Sequence, residues 1–165
     1  MNKFVKLTTL LLTVSVVAGC NSWNSRKDPA PVDGGASTSA AGQSGYDASR
    51  FGNPNDPLSQ KVIYFEYDRS DILPEYRRVV AAHAQYLVSN PSQSVTLEGH
   101  GDERGSREYN IALGENRAES IKRMFTASGV PASQIMTISY GEERPATAGV
   151  DEAAWAKNRR VEIIY

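Results

Sequence analysis

The run Gly99-His100-Gly101-Asp102-Glu103-Arg104-Gly105 sets an acid on a loop flanked by glycines, and Tyr109-Asn110 and Arg117-Ala118 follow on the segment that should continue as a helix. Glycines at 99 and 101 open backbone angles closed to other residues, and are expected to let Asp102 reach the end of a sheet. The amides at the start of the next helix, near Ser106, favour anionic groups. An aspartate and an arginine gathered from these two places would grip a small zwitterion, the ammonium on Asp102 and the carboxylate in the planar fork of Arg117. The same two residues would equally close a turn as a structural ion pair, and spacing alone leaves both readings open.

The elements that must position this pair can be read from periodicity. Val62-Ile63-Tyr64-Phe65-Glu66-Tyr67 is rich in β-branched and aromatic residues and reads as a strand, followed by a loop at Asp68-Arg69-Ser70-Asp71. Pro74 suits a first helical turn. Tyr76, Val79, Val80, His83 and Leu87 then recur at helical spacing until Asn90-Pro91. Val95 and Leu97 alternate with polar neighbours as in a half-buried strand. Ile111, Ala118, Ile121 and Phe125 share one face of a long helix that Ser128-Gly129 ends. A strand over 135–140, a short helix capped by Asp151 and running through Lys157, and a last strand carrying Val161, Ile163 and Tyr165 complete the order β-α-β-α-β-(short α)-β. That order predicts an α+β, two-layer sandwich with helices packed on one mixed sheet.

Length and charge bound the rest. The chain of 165 residues has room for one domain with appendages, and its formal charge of −1 offers no stripe for nucleic acid. A single cysteine excludes an internal disulfide framework and a thiolate metal cluster within the chain. Lys3 and Lys6 precede an apolar run, Leu7 to Ala18, that is too short to span a bilayer, which needs ~20 apolar residues. Val17-Ala18-Gly19-Cys20 closes that run and resembles the bacterial lipobox. The resemblance implies removal of residues 1–19 and lipid on Cys20, a diacylglycerol and an N-linked palmitoyl chain, with no other cofactor. Asn21 in place of an aspartate leans toward the outer membrane. Residues 20–58, with Pro29, Pro31, Pro54 and Pro57 and a Gly/Ser/Ala-rich centre, read as a flexible tether with a reach of ~30–35 Å, and the folded part is expected to begin near Gln60. Trp23 suits a lipid interface, and Phe51 suits packing on the domain.

Other signals are weaker. His100, Asp102 and Glu103 could suggest a metal site, but a zinc site needs at least three protein ligands in good geometry, and the one other histidine, His83, falls on the apolar face of a different helix as a packed core residue. Glu98 with Asp102 has the chemistry of an acid/base pair for glycan cleavage but no cleft-forming second domain. Arg159-Arg160 is too short for a nucleic-acid patch and is expected to satisfy nearby carbonyls or carboxylates.

Glu98 to Gly105, followed by Tyr109 to Ala118, resembles the peptidoglycan-binding core of the OmpA-like family. Asp102-Glu103-Arg104-Gly105, Ser139-Tyr140-Gly141-Glu142-Glu143 and Lys157-Asn158-Arg159-Arg160 resemble more narrowly its lipoprotein branch. The resemblance covers about Val62 to Tyr165, with the domain at 59–165. It implies a non-enzymatic protein that binds the diaminopimelate of the cell-wall stem peptide through Asp102 and Arg117. Tyr67 and Asp68 in the loop after the first strand, and Arg104 and Leu113 in matching motif positions, are further candidates. It also implies a periplasmic head tethered to the outer membrane, with peptidoglycan, the TolB protein and the Tol complex as partners, in envelope integrity and cell division. Gly114 departs from the serine that many relatives carry there, which suggests close packing. A peptidoglycan hydrolase or amidase, and an OmpA-like lipoprotein of another envelope assembly, are the alternatives.

Overall fold

Strand residues of alternating character and helices with one apolar face leave a chain two ways to bury itself: sheet on sheet, or helices on a sheet. A computed structural model, which describes residues 49–165, takes the second. Four strands, β1 (Val62–Tyr64), β2 (Val95–His100), β3 (Ile135–Gly141) and β4 (Arg160–Ile164), form one sheet in the order β1-β4-β2-β3. β4 runs antiparallel to both β1 and β2, and β2 and β3 are parallel, so the sheet is mixed. The helices are α1 (Ser49–Gly52), α2 (Arg77–Ser89), α3 (Arg107–Ala127) and α4 (Glu152–Asn158).

Register fixes the two faces of the sheet. Ile63 pairs with Val161, and Leu97 with both Ile163 and Thr137. These side chains point to the face covered by α2 and α3, where Val80, Leu87, Ile121 and Phe125 lie fully buried with Leu97 and Ile163. The long helices keep their predicted apolar faces, the predicted Asp151 cap forms, and Ser106, near which the long helix was expected to begin, caps it. The Ser106 hydroxyl accepts from the Tyr109 amide, and the Asp151 carboxylate from the Ala154 amide at 2.8 Å.

Two expectations are corrected. The first strand ends at Tyr64, short of Tyr67, because its partner β4 starts at Arg160; beyond that point the Phe65 amide donates to the Arg159 carbonyl at 2.9 Å and the chain turns away. Packing also begins before Gln60. Leu58 is fully buried, and Phe51 sits 5.0 Å from the rings of both Tyr86 and Tyr165. Apolar side chains that can reach the core extend the fold backward through a Pro-rich stretch. The signal segment, Trp23, Cys20 and the tether up to residue 48 lie outside the described residues.

His83 is a core residue, as its helical position predicted. Its Nδ1 lies 2.8 Å from the Tyr165 hydroxyl and its Nε2 2.9 Å from the Gln60 carbonyl. Burial, the largest influence, pushes the imidazole below its ordinary pKa, which keeps it neutral in this apolar setting.

Candidate functional site

β2 delivers the acid loop and α3 delivers the arginine, and one close crossing fixes the two together. A Cβ on Gly99 would collide with the carbonyl of Gly114, and one on Gly114 would collide with the Ser139 hydroxyl. Gly99 is therefore required for the approach of strand and helix rather than for its backbone angles, and Gly114 marks the close packing its departure from serine suggested. The left-handed angle in the loop belongs to Gly105, at φ +112, where the chain turns into Ser106 and the helix. Asp68 in the loop after β1 also has positive φ, +55, a conformation that aspartate tolerates better than most residues.

Arg117 projects from α3 between the ends of β1 and β2 and is 0% exposed. Its Nε donates to the Arg69 carbonyl at 2.9 Å, and its terminal nitrogens donate to the carbonyls of His100 at 2.8 Å and Glu66 at 3.2 Å. Three neutral carbonyls satisfy its hydrogen bonds without cancelling its charge, and among the described residues no carboxylate lies within ion-pair distance of it. Burial, and then the like charge of Arg159, bring its pKa down to about 10, with Asp102 and Asp68 acting the other way. It stays a cation at neutral pH.

Asp102 is 5% exposed and fully engaged. Its Oδ1 accepts from the Arg104 amide and Nε, both at 3.1 Å; its Oδ2 accepts from Arg104 at 2.6 Å and from Arg159 at 3.2 Å. Burial works against the charged form, but the bonds from Arg104 and Arg159 outweigh it and hold the carboxyl below its usual range. The Arg104 guanidinium is stacked between the rings of Tyr67, at 4.0 Å, and Trp155, at 4.1 Å.

A pocket of about 160 Å³ opens over these groups. Tyr67, Asp68, Asp102, Arg104, Leu113 and Arg117 all line it, so the structure gathers every pocket residue that the sequence suggested. The pair itself is rearranged. Asp102 and Arg117 form no salt bridge with one another, and the ion pair that closes the turn is Asp102 with Arg104. Asp102 is not a lone acid, since two guanidiniums hold it.

Gly105, Tyr109 and Asn110 line the pocket too, and sequence reasoning did not place them there. Tyr109, half exposed, donates its hydroxyl to Asp68 and so ties the two rims together. Asn110 shares a helix face with Leu113 and Arg117 at spacings of three and seven, a signal that was available. Trp155 and Arg159 come from the far end of the chain; Arg159, expected to satisfy nearby carbonyls or carboxylates, takes the Phe65 carbonyl, Asp102 and Glu152, but no local pattern ties either residue to this pocket.

A mixed sheet with two helices on one face, and a polar pocket where a loop acid meets a helix-borne guanidinium, define a small binding domain. Residues 64–159 match the OmpA family. Over nearly the whole chain, the sequence is 43% identical to the peptidoglycan-associated lipoprotein of Pseudomonas aeruginosa, covering 99% of this chain and 98% of that one. It is 42% identical to that of Haemophilus influenzae, covering 100% of both. The crystal structure of the peptidoglycan-associated lipoprotein from Burkholderia pseudomallei, 40% identical, superposes with a TM-score of 0.68 over 70% of this chain and 98% of that one. This chain belongs to the OmpA family and, within it, to the peptidoglycan-associated lipoproteins.

Proposed function

We propose that the pocket binds the diaminopimelate of the peptidoglycan stem peptide, without catalysis, and that the chain tethers an outer membrane to the cell wall through lipid on Cys20. The observation that carries this reading is Arg117, a buried cation facing the pocket with all its hydrogen bonds on neutral carbonyls. Such a charge favours an anion that brings its own partner, and the free end of diaminopimelate offers a carboxylate and an ammonium on one carbon. The carboxylate goes toward Arg117. The ammonium goes toward the acid side of the pocket, where Asp102 shares its oxygens with Arg104 and where Asp68 stands at the rim. Charge-assisted bonds of about 1.5–3 kcal/mol each give micromolar affinity per site, near −8 kcal/mol. Weak sites suffice for an anchored head facing many equivalent stem peptides, because effective concentration replaces affinity.

The relatives' name, peptidoglycan-associated lipoprotein, supports the wall as ligand and a covalent lipid as anchor. On the same kinship we place the chain in the Tol-Pal system, with TolB as its periplasmic partner and roles in envelope integrity and division. The test is cosedimentation of the full chain with purified sacculi. The chain pellets, releases no soluble muropeptide, and is displaced by free meso-diaminopimelate. Asp102→Asn pellets at least tenfold more weakly. Pelleting that free diaminopimelate does not reduce would refute the assignment, and release of muropeptides would make the protein a hydrolase.

A further inference from the structure

Arg159 lies outside the pocket, at the junction of α4 and β4, and is almost fully buried. Each of its three nitrogens has a different partner. Nε donates to the Phe65 carbonyl at 3.1 Å, one terminal nitrogen to Asp102 Oδ2 at 3.2 Å, and the other to Glu152 Oε1 at 2.6 Å. A guanidinium is planar, so three bonds in one plane fix the acid relative to the end of β1 and the first turn of α4. The second guanidinium on Asp102 is held differently. Arg104 lines the pocket, has a side chain 29% exposed, and besides Asp102 rests on two ring faces and a longer contact to Glu152 at 3.5 Å. Asp102 has no oxygen to spare, so an ammonium entering the pocket must replace one of these two groups. Only Arg104 faces the pocket and has room to yield.

We infer that Arg159 is the positioning residue of the pocket: it anchors the Asp102 carboxylate from behind, so that an incoming ammonium exchanges with Arg104 while the acid stays in place. This rests on reading the pocket as a diaminopimelate site. Glu152, largely exposed on α4, is the outer end of the anchor, which links a surface helix to the floor of the pocket. The charged groups around Asp102 are Arg104 from its own loop, Arg159 from the α4–β4 junction with Glu152 behind it, and Arg117 from α3. A lysine at 159 would keep the charge but could not satisfy three in-plane acceptors.

The experiment titrates the Asp102 carboxyl carbon by NMR in the full chain in detergent micelles, and measures affinity for a diaminopimelate-terminated stem tripeptide by calorimetry. Wild type is compared with Arg159→Gln, Arg159→Lys and Glu152→Gln. In Arg159→Gln the Asp102 midpoint rises by about one pH unit or more, and affinity at pH 7 falls about tenfold or more, with a steeper loss as pH falls toward the raised midpoint. Arg159→Lys restores most of the midpoint but not the affinity. Glu152→Gln, a surface change that leaves the core filled, lowers affinity a few-fold. An unchanged midpoint with unchanged affinity in a folded Arg159→Gln overturns the inference. If that variant does not fold, wild-type midpoint and affinity in both Arg159→Lys and Glu152→Gln overturn it. A shifted midpoint in a protein whose wild type does not bind the tripeptide refutes the diaminopimelate reading while upholding Arg159 as the anchor of Asp102.

Discussion

Two parts of this domain bury ionisable side chains to the same depth and put them to opposite use. At one end, His83 hands each ring nitrogen to a partner and is stacked with Tyr165 at 5.7 Å, whose ring also meets those of Phe51 and Tyr86. Burial drives it neutral, nothing is left over, and it fastens the C-terminal residue to α2. At the other end, Arg117 is equally inaccessible, but a guanidinium cannot discharge at neutral pH, so its bonds are satisfied while its charge is not. A buried group that can neutralise itself becomes structure. One that cannot, and that no carboxylate pairs, keeps a charge at the pocket, which is the feature the diaminopimelate proposal rests on.

The sharpest way to break that contrast is Arg117→Ala. It strands the carbonyls of Glu66, Arg69 and His100 and removes the charge, so sacculus pelleting is lost and the denaturation midpoint falls by an amount equivalent to about 4 kcal/mol. Wild-type pelleting in that variant would mean that the cation serves the fold alone. His83→Ala is the mirror test. It removes two hydrogen bonds and leaves a void beneath Tyr165, costing about 3 kcal/mol, yet the folded fraction pellets as wild type does. A pelleting defect in proportion greater than the unfolded fraction would show the two ends to be coupled.

A third test uses His100, buried on the opposite face of the sheet against Tyr140 and Arg160. Burial and Arg160 push it down to about 4, against the opposing pull of Glu162. Between pH 4 and 6.5 the unfolded chain therefore binds the extra proton, so the stabilising contribution is complete above about 6.5 and drains away as pH falls toward 4. Denaturant titrations across that window should show a loss on the order of 2–3 kcal/mol, and His100→Phe should flatten it. Asp102 acts in a lower window: its depressed carboxyl contributes its full stability above its unfolded value near 4 and loses it as pH falls below that value.

Most of the fold was legible because each element advertises itself locally: the helical spacing of Val80 and Leu87, the alternation around Leu97, the cap Asp151. The reach of the fold back to Phe51 was half visible, since one aromatic in a Pro-rich stretch suggests packing without saying how far packing extends. Asp102 and Arg117 were legible by type and motif, but their relation was not. The partner that Asp102 takes in the loop, Arg104, is two residues away and competes with any distant arginine on the shorter chain closure. Arg159 reaches the same oxygen from 57 residues on, and only tertiary structure brings it there. Asn110 lay in plain view at helical spacing from Arg117. It stands within the same motif, but an uncharged amide carries no chemistry that marks it as a pocket residue.

The crossing of Gly99 and Gly114 has a consequence for how this family site could drift. Arg117 is three residues beyond Gly114, under one turn along the helix. With strand and helix touching backbone to backbone, nothing at the contact acts as a spring. A methyl group added there would act as a wedge, lifting α3 off the sheet and drawing the guanidinium away from the pocket even though no pocket-lining residue had changed. The reach of the cation is set, in effect, by two side chains that are not there.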